Sequence, residues 1–598
     1  MATIPLGLFL WKRIKEIGIS SVMGLPGDFQ LELLDYIYEV PGLQWMGNAN
    51  ELNSAYAADG YSRAKGIPGC LATTHGVGEL SAINGVAGSH AEQVKVIHIV
   101  GQTTRPMQKG NMMIHHSISF NPDHRTYARM SEPIRCAAAL LAEVSDTTQA
   151  ASEIDRVIRE CFIQSRPVYI YVPLDMVHEP VSASLLDTKI DVSMPSDAAA
   201  EDAAIQATIA ALQSSKSPTS FTDCLTHRHD AKIEAQALLS NLGIPVAASV
   251  MGKSIYDETL PNWIGVYNGL PSASGTRTVI ESSDLVIIIG SLPSDTNTGG
   301  FTRKIQPSHS IEINPQSVIV KGTSYPNIWM KPFLTHLYTA LQSPTISSSL
   351  PQPTSNHSLA NGVKLSDNNA PHITQAYIWA RLCQWMKPGD ILFADTGTAA
   401  FGFTDHPFPA NVSFQTQSYY GSIGWATPAA LGCAAALREL ASEPTIGTTG
   451  EGATKRRTLL ITGDGSLQLT MGELGTMIAR GLDVMVMVIN NAGYTIERVI
   501  HGADKGYNDI SAYNYGCALG LYGYSEGEAK SRFKRVETKV EMEKVLADEG
   551  FAEQKGVKLV EVVMDAIDAP ARLVQQLATR GEAQVEKMRK AGFMKYEI

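Results

Sequence analysis

Short apolar runs alternate along this chain with longer stretches in which apolar positions recur at helical spacing. In the first third, SSVMG, QWMG, CLATT and VKVIHIVG are separated by helix-period segments near 29–38, from Glu51 and from Glu79. The series closes on PVYIYVPLD at 167–175. Apolar runs of this kind set between helices predict a parallel, doubly wound α/β sheet. The period fades over 182–204, where Ser, Pro, Asp and Ala accumulate as in a linker. A second block carries IPVAASV (244–250), DLVIIIGS (284–291) and HSIEINP (309–315), then gives way to the Ser/Pro/Asn-rich QSPTISSSLPQPTSNHSLANG. A third, from near Thr374, holds GDILFADTG, RTLLITGDGS, DVMVMVINN and VKLVEVVMD. The expected organisation is three doubly wound parallel-sheet α/β domains over 1–182, 200–342 and 372–598. Within the third, the Gly/Thr-rich stretch 443–457 reads as a solvated loop inserted before a strand. The tail 569–598 reads as charged helix serving packing or assembly.

The third block contains the most specific local pattern. A Gly-Asp-Gly turn (463–465) ends one apolar strand, an Asn-Asn pair (490–491) ends the next, and a helix-period segment near 471–480 lies between them. In a parallel sheet both turns fall at strand carboxyl ends, where α/β folds bind ligands. Asp464 and Asn491 offer hard oxygen ligands, and Gly463 and Gly465 let the backbone approach a diphosphate. The chemistry implied is a magnesium ion clamped between protein oxygens and a diphosphate, the fingerprint of thiamine diphosphate (ThDP).

Composition narrows the rest. The chain has 598 residues, 44% hydrophobic and 18% charged, with a net charge of -11. That describes well-buried globular domains and offers no basic footprint for nucleic acid or an anionic membrane. No apolar run is long enough to span a bilayer, and MATIPLGLFLWKRIKEIG lacks the order of a secretory signal. The seven cysteines are scattered without a CxxC, so reduced thiols and a cytoplasmic location are expected.

Several motifs, in order, make the chain resemble the fungal-type pyruvate decarboxylase family of ThDP-dependent 2-oxo-acid decarboxylases. They are GLPGDFQLELLD (24–35), GNANELNSAYAADGYSRAKG (47–66), GVGELSAINGVAGS (76–89), IHHS (114–117), MGK (251–253), DTGTAAFG (395–402), GSIGWAT (421–427), the 463–491 pattern and NNAGYTIE (490–497). The resemblance implies pyrimidine-binding, central and diphosphate-binding domains, with active sites between two subunits of a dimer or tetramer. It implies that Glu51 hydrogen-bonds the cofactor's aminopyrimidine ring. The Gly421 carbonyl would take the amino hydrogen, Ser422 would lie beside it, and Ile423 would wedge the cofactor into a bent shape. Thr396, Thr398 and Ser466 would help hold the diphosphate. The Gly493 carbonyl would join Asp464 and Asn491 around magnesium. Asp28, His115, His116 and Glu497 would give and take protons near neutral pH.

The resemblance also implies the reaction, pyruvate to acetaldehyde and carbon dioxide without oxidation. Ile496 and Ile500 match the pyruvate-preferring pocket. Thr296 and His75 stand where such members carry aromatic residues, and His90 stands where Tyr is usual. These exchanges leave open a decarboxylase of larger 2-oxo acids, such as phenylpyruvate, indolepyruvate or branched-chain acids. A paralogue that binds the cofactor without turnover is the remote alternative. Asp395 is one methylene shorter than the usual Glu. Cys224 is out of register with the family's central-domain cysteine, so thiol-linked substrate activation is not expected.

Overall fold

A computed structural model describes residues 2–347, 370–442 and 456–594. The expected inserted loop therefore falls, but for Arg456 and Arg457, outside the described residues, as does most of the Ser/Pro/Asn-rich linker. Three large sheets carry the fold. The first orders its strands Gln44–Trp45, Ser21–Gly24, Gly69–Thr74, Val96–Gln102, Val168–Pro173 and Ala137–Leu140, all parallel. The last orders Ser413–Gln415, Ile391–Ala394, Thr458–Gly463, Val484–Asn490, Val557–Val563 and Phe533–Val536, again all parallel. Numbered by position in the chain, both sheets run 2-1-3-4-6-5. The two outer domains thus share one topology, and each has a switch point between its first and third strands, where ligands bind.

The central sheet differs from the all-parallel expectation. Five parallel strands, Trp263–Val266, Val246–Ala248, Pro218–Thr222, Leu285–Ile289 and Ser310–Asn314, are followed by two antiparallel ones, Ser317–Val320 and Thr323–Pro326. The last hairpin turns at Lys321 and Gly322, both with positive φ (49° and 87°), the geometry of a two-residue hairpin loop. The helix expected near 29–38 is a short helix, Leu31–Asp35, running on into a 3-10 turn, Tyr36–Glu39. The supposed linker 182–204 already contains the start of helix Ala198–Ser214, capped by Asp197. The 463–465 turn opens directly into helix Asp464–Thr470, and a break at Met471 and Gly472 separates it from Glu473–Ala479. No helix among the described residues is long and apolar enough to cross a membrane.

One buried cluster runs continuously from the first domain into the last. Its seam is the pairing of helix Glu51–Lys65 with helix Ala426–Ser442, both rich in Ala and Gly. A side chain at Gly432 would overlap the Ala57 carbonyl, and one at Gly60 the Ala429 carbonyl. Backbone therefore packs on backbone. Gly432→Ala is expected to cost roughly 1–3 kcal/mol through forced separation of the helices. A denaturation midpoint unchanged from wild type would contradict this packing. Beside the seam, Arg63 is fully buried and bonded to Asp59 and Glu92 at 2.6 and 2.9 Å, its guanidinium over the Trp425 ring.

Candidate active site

The magnesium motif sits beside the switch point of the last sheet, at the carboxyl ends of its third and fourth strands. Asp395, Thr396 and Thr398 follow its first strand, Asp464 its third, and Asn491 its fourth. Asp464 is buried, which pushes its carboxyl up to about 6 against the pull of the Gly465, Gly493 and Ala492 amides and of Arg498. Its Oδ1 accepts from Gly465 N at 2.8 Å and its Oδ2 from Gly493 N at 3.0 Å. The Asn491 amide can be placed in two ways. With Nδ2 donating to Thr495 Oγ1 at 2.9 Å, Oδ1 lies 3.3 Å from Asp464 Oδ1 and 3.0 Å from the Gly493 carbonyl. Three oxygens then converge with no hydrogen between them, an arrangement that repels unless a cation joins it. An octahedral magnesium shell with bonds near 2.1 Å spaces adjacent ligands about 3.0 Å apart. The reverse placement turns the same contacts into hydrogen bonds. The donor set thus fits magnesium, amide oxygen inward with the ion and nitrogen inward without it. Gly493 has a φ of 126°, and its missing side chain makes room for the Asn508 carbonyl.

Around the motif, Asp395 is buried and pushed up to about 7 by that burial, its oxygens taking Thr462 Oγ1 at 2.9 Å and Thr396 N at 3.0 Å. Thr398 opens helix Thr398–Gly402, and Ser466 lies in the first turn of Asp464–Thr470, both buried. Gly463 and Gly465 flank Asp464, with open space where a side chain on Gly463 would stand. Gly421, Ser422 and Ile423 form a half-buried loop. Gln417 fixes it, its carbonyl accepting Gly421 N at 2.9 Å and its Oε1 accepting Ser422 N at 3.1 Å. Tyr56, on the helix begun by Glu51, meets Ser422 Oγ at 2.6 Å.

Glu51 is the first residue of helix Glu51–Lys65, whose N-cap Asn50 accepts from Asn53 N at 2.8 Å. Its carboxyl is buried and raised by that burial. A methyl group on Gly78 would press on Oε1 at 3.1 Å, which gives one reason for glycine in GVGELSA. A residue that sequence reasoning missed holds this helix start. Glu473 accepts from Ala49 N at 2.8 Å, Asn53 Nδ2 at 2.9 Å and Asn48 Nδ2 at 3.0 Å. It belongs to the 463–491 motif, so the magnesium segment and the Glu51 segment are tied together. The only local signal was an acid in the first turn of a helix, and its partners lie more than four hundred residues away.

At the first sheet, Asp28 follows the first strand and His115 and His116 follow the fourth. His115 Nε2 lies 2.7 Å from Asp28 Oδ2, and His115 stacks on Phe29 with ring centroids 5.0 Å apart. His116 has a φ of 72°; its carbonyl accepts the Tyr127 hydroxyl and its Nδ1 lies 3.2 Å from the His75 carbonyl. Glu497 is exposed in the first turn of helix Thr495–Ile500, on the last domain. The structure thus brings Asp28, His115 and His116 together, and stands Glu497 apart from them.

The expected pocket residues are placed as follows. His75 is 1% exposed beneath the histidine pair, among Phe29, Tyr127 and His124. Burial and the neighbouring histidines push it down to about 4, while burial pushes Glu79, 3.7 Å away, up to about 8. His90 ends helix Val77–Ala91. Thr296 donates to the Ser418 carbonyl at 3.0 Å, tying the central domain to the loop that holds Ile423. Ile496 and Ile500 pack against helices Ala571–Ala578 and Glu582–Lys590, with Leu573, Leu577 and Met588.

Comparison with known proteins agrees with this architecture. Models of the thiamine pyrophosphate enzyme N-terminal TPP binding domain, central domain and C-terminal TPP binding domain match residues 6–124, 205–328 and 395–562. The chain is 39% identical to the pyruvate decarboxylase of Kluyveromyces lactis over 581 residues, 96% of this chain and 98% of the relative. It is 38% identical to pyruvate decarboxylase isozyme 1 of Saccharomyces cerevisiae over 96% and 98% of the two chains. With the pyruvate decarboxylase of Aspergillus terreus it shares 40% identity over 94% and 95%. Paired outer domains, a buried helix-start glutamate and a magnesium-type oxygen set therefore have one common explanation: this chain belongs to the pyruvate decarboxylase family of ThDP-dependent enzymes.

Proposed function

We propose that the protein decarboxylates pyruvate to acetaldehyde and carbon dioxide with ThDP and magnesium. The observation that carries this reading is the Asp28–His115–His116 cluster, an acid–base set beyond what cofactor binding needs. Bound ThDP supplies the electron sink that lets a 2-oxo acid lose carbon dioxide. The chain supplies the rest. Asp464, Asn491 and the Gly493 carbonyl would hold magnesium, and Thr396, Thr398, Gly463, Gly465 and Ser466 would line the diphosphate. Ile423 would wedge the bound cofactor, the Gly421 carbonyl would take its amino hydrogen, and Ser422 would lie beside it. Glu51, whose carboxyl pKa is raised by burial, would hydrogen-bond the aminopyrimidine ring from that carboxyl. Asp28, His115, His116 and Glu497 deliver and remove protons at the substrate-derived carbon and oxygen. Ile496 and Ile500, backed by the C-terminal helices, form a rigid wall suited to a methyl group.

Self-association belongs to the same proposal, as a dimer or tetramer with the active site between subunits. Asp28 and His115 are more than half exposed, and Met112, Met113, Ile118 and Phe120 around them are exposed apolar residues. A second subunit would shield both the cluster and these side chains from water. The seven cysteines are free thiols, which supports a reducing, cytoplasmic setting. The reaction is tested by aldehyde formation from pyruvate, phenylpyruvate and 2-oxoisovalerate, coupled to NADH oxidation by alcohol dehydrogenase. Pyruvate is expected to lead in kcat/KM by about tenfold or more. Preference for phenylpyruvate would favour the second reading, larger 2-oxo acids, to which the small Thr296 points. Cofactor binding with no turnover of any acid would leave an inactive paralogue.

A further inference from the structure

The Asp28–His115–His116 cluster has the make-up of a transition-metal site as well as that of an acid–base site. One Asp28 oxygen and one ring nitrogen of each histidine lie within 4.8 Å of one another, the only such group of His, Cys, Asp or Glu among the described residues. A tetrahedral zinc site with bonds of 2.0–2.2 Å spaces its ligand atoms about 3.4 Å apart. Closing on an ion therefore needs small movements. Asp28 and His115 can make them, with side chains 52% and 58% exposed. His116 is held more firmly, by the Tyr127 hydroxyl on its carbonyl and by its Nδ1 facing the His75 carbonyl at 3.2 Å. A proton on Nδ1, shared with that carbonyl, leaves the lone pair on Nε2. Metal-bound imidazoles are oriented in this way by backbone carbonyls. Phe29 stacked on His115 steadies the second ring.

We propose that this cluster binds a divalent cation of the zinc, cobalt or nickel class, and that the bound ion keeps a 2-oxo acid from using these groups. Ligand chemistry separates the site from the magnesium motif. Two imidazoles and a carboxylate suit borderline d-block ions, whereas the oxygens of Asp464, Asn491 and Gly493 suit magnesium. The ion occupies a lone pair on each histidine and neutralises the Asp28 charge, so none of the three can take up a proton. Metal binding here stands on geometry alone; its inhibitory consequence rests on the proposed acid–base role.

The test is titration of the full-length protein, loaded with ThDP and excess magnesium, with cobalt(II) and then zinc. One equivalent of cobalt per chain is expected, with the visible absorption of a tetrahedral nitrogen/oxygen site, displaced by zinc. Asp28→Ala, His115→Ala and His116→Ala should each weaken it by about tenfold or more, while Cys517→Ser, which removes the exposed thiol, should retain it. Zinc should then lower kcat for pyruvate, because the occupied groups can no longer pass protons. No band in the wild type, or a band that survives in the His115→Ala/His116→Ala double variant, would overturn the site. Binding that leaves turnover of pyruvate unchanged would overturn the inhibitory role. Binding by a protein that turns over no 2-oxo acid would count against the proposed reaction and leave the metal site standing.

Discussion

Glu51→Gln is expected to lower turnover of pyruvate by roughly 10³-fold while leaving the fold and cofactor affinity close to wild type. The amide has the shape of the protonated acid but cannot exchange its proton. The carboxyl is buried at a helix start and its pKa is raised by that burial. Its framework is independent of its charge, because Asn50 caps the helix and Glu473 holds Ala49, Asn48 and Asn53. Steady-state kcat at saturating ThDP and magnesium, with the far-ultraviolet dichroism of both proteins, decides the matter. Turnover near wild type would remove Glu51 from the proposed mechanism.

The second large effect is expected at the magnesium motif. Asp464→Ala deletes the one formal charge among the three converging oxygens and both acceptors for the Gly465 and Gly493 amides. Loss of affinity for ThDP in the presence of magnesium is expected to be on the order of a hundredfold or more. Because a ligand stabilises the state that binds it, ThDP with magnesium should raise the melting temperature of the wild type. The same additions should leave Asp464→Ala nearly unmoved. An equal rise in both proteins would mean that the diphosphate is held elsewhere.

The site residues proposed here carry signals of two kinds, strand-end position and family motif. Asp464 and Asn491 each end an apolar strand, so strand period alone set them at one edge of a parallel sheet, and the structure has them on adjacent strands. Asp28, His115 and His116 were named on the resemblance, and the structure brings them within reach of one another. The antiparallel hairpin at Lys321 and Gly322 had only a partial local signal, a Lys-Gly turn after the apolar run Ser317–Val320, because the strand that follows, Thr323–Pro326, is largely exposed and not an apolar run. The C-terminal tail was read as charged helix serving packing or assembly, and the apolar faces of Ala571–Ala578 and Glu582–Lys590 do pack, over Ile496 and Ile500.

The chain's local chemistry by itself determined the three α/β domains, the family and the cofactor, because strand and helix periods and motif spacings span only tens of residues. Tertiary structure alone decided the shared 2-1-3-4-6-5 strand order, since which strands neighbour one another depends on how helices cover the sheet. It also decided that Glu473 clamps the Glu51 segment, that His75 is buried beneath the histidine pair, and that Thr296 ties to Ser418. Each of these contacts joins residues far apart in the chain or depends on enclosure from several sides. Such contacts arise only when whole domains pack, and no local period or turn signal encodes them.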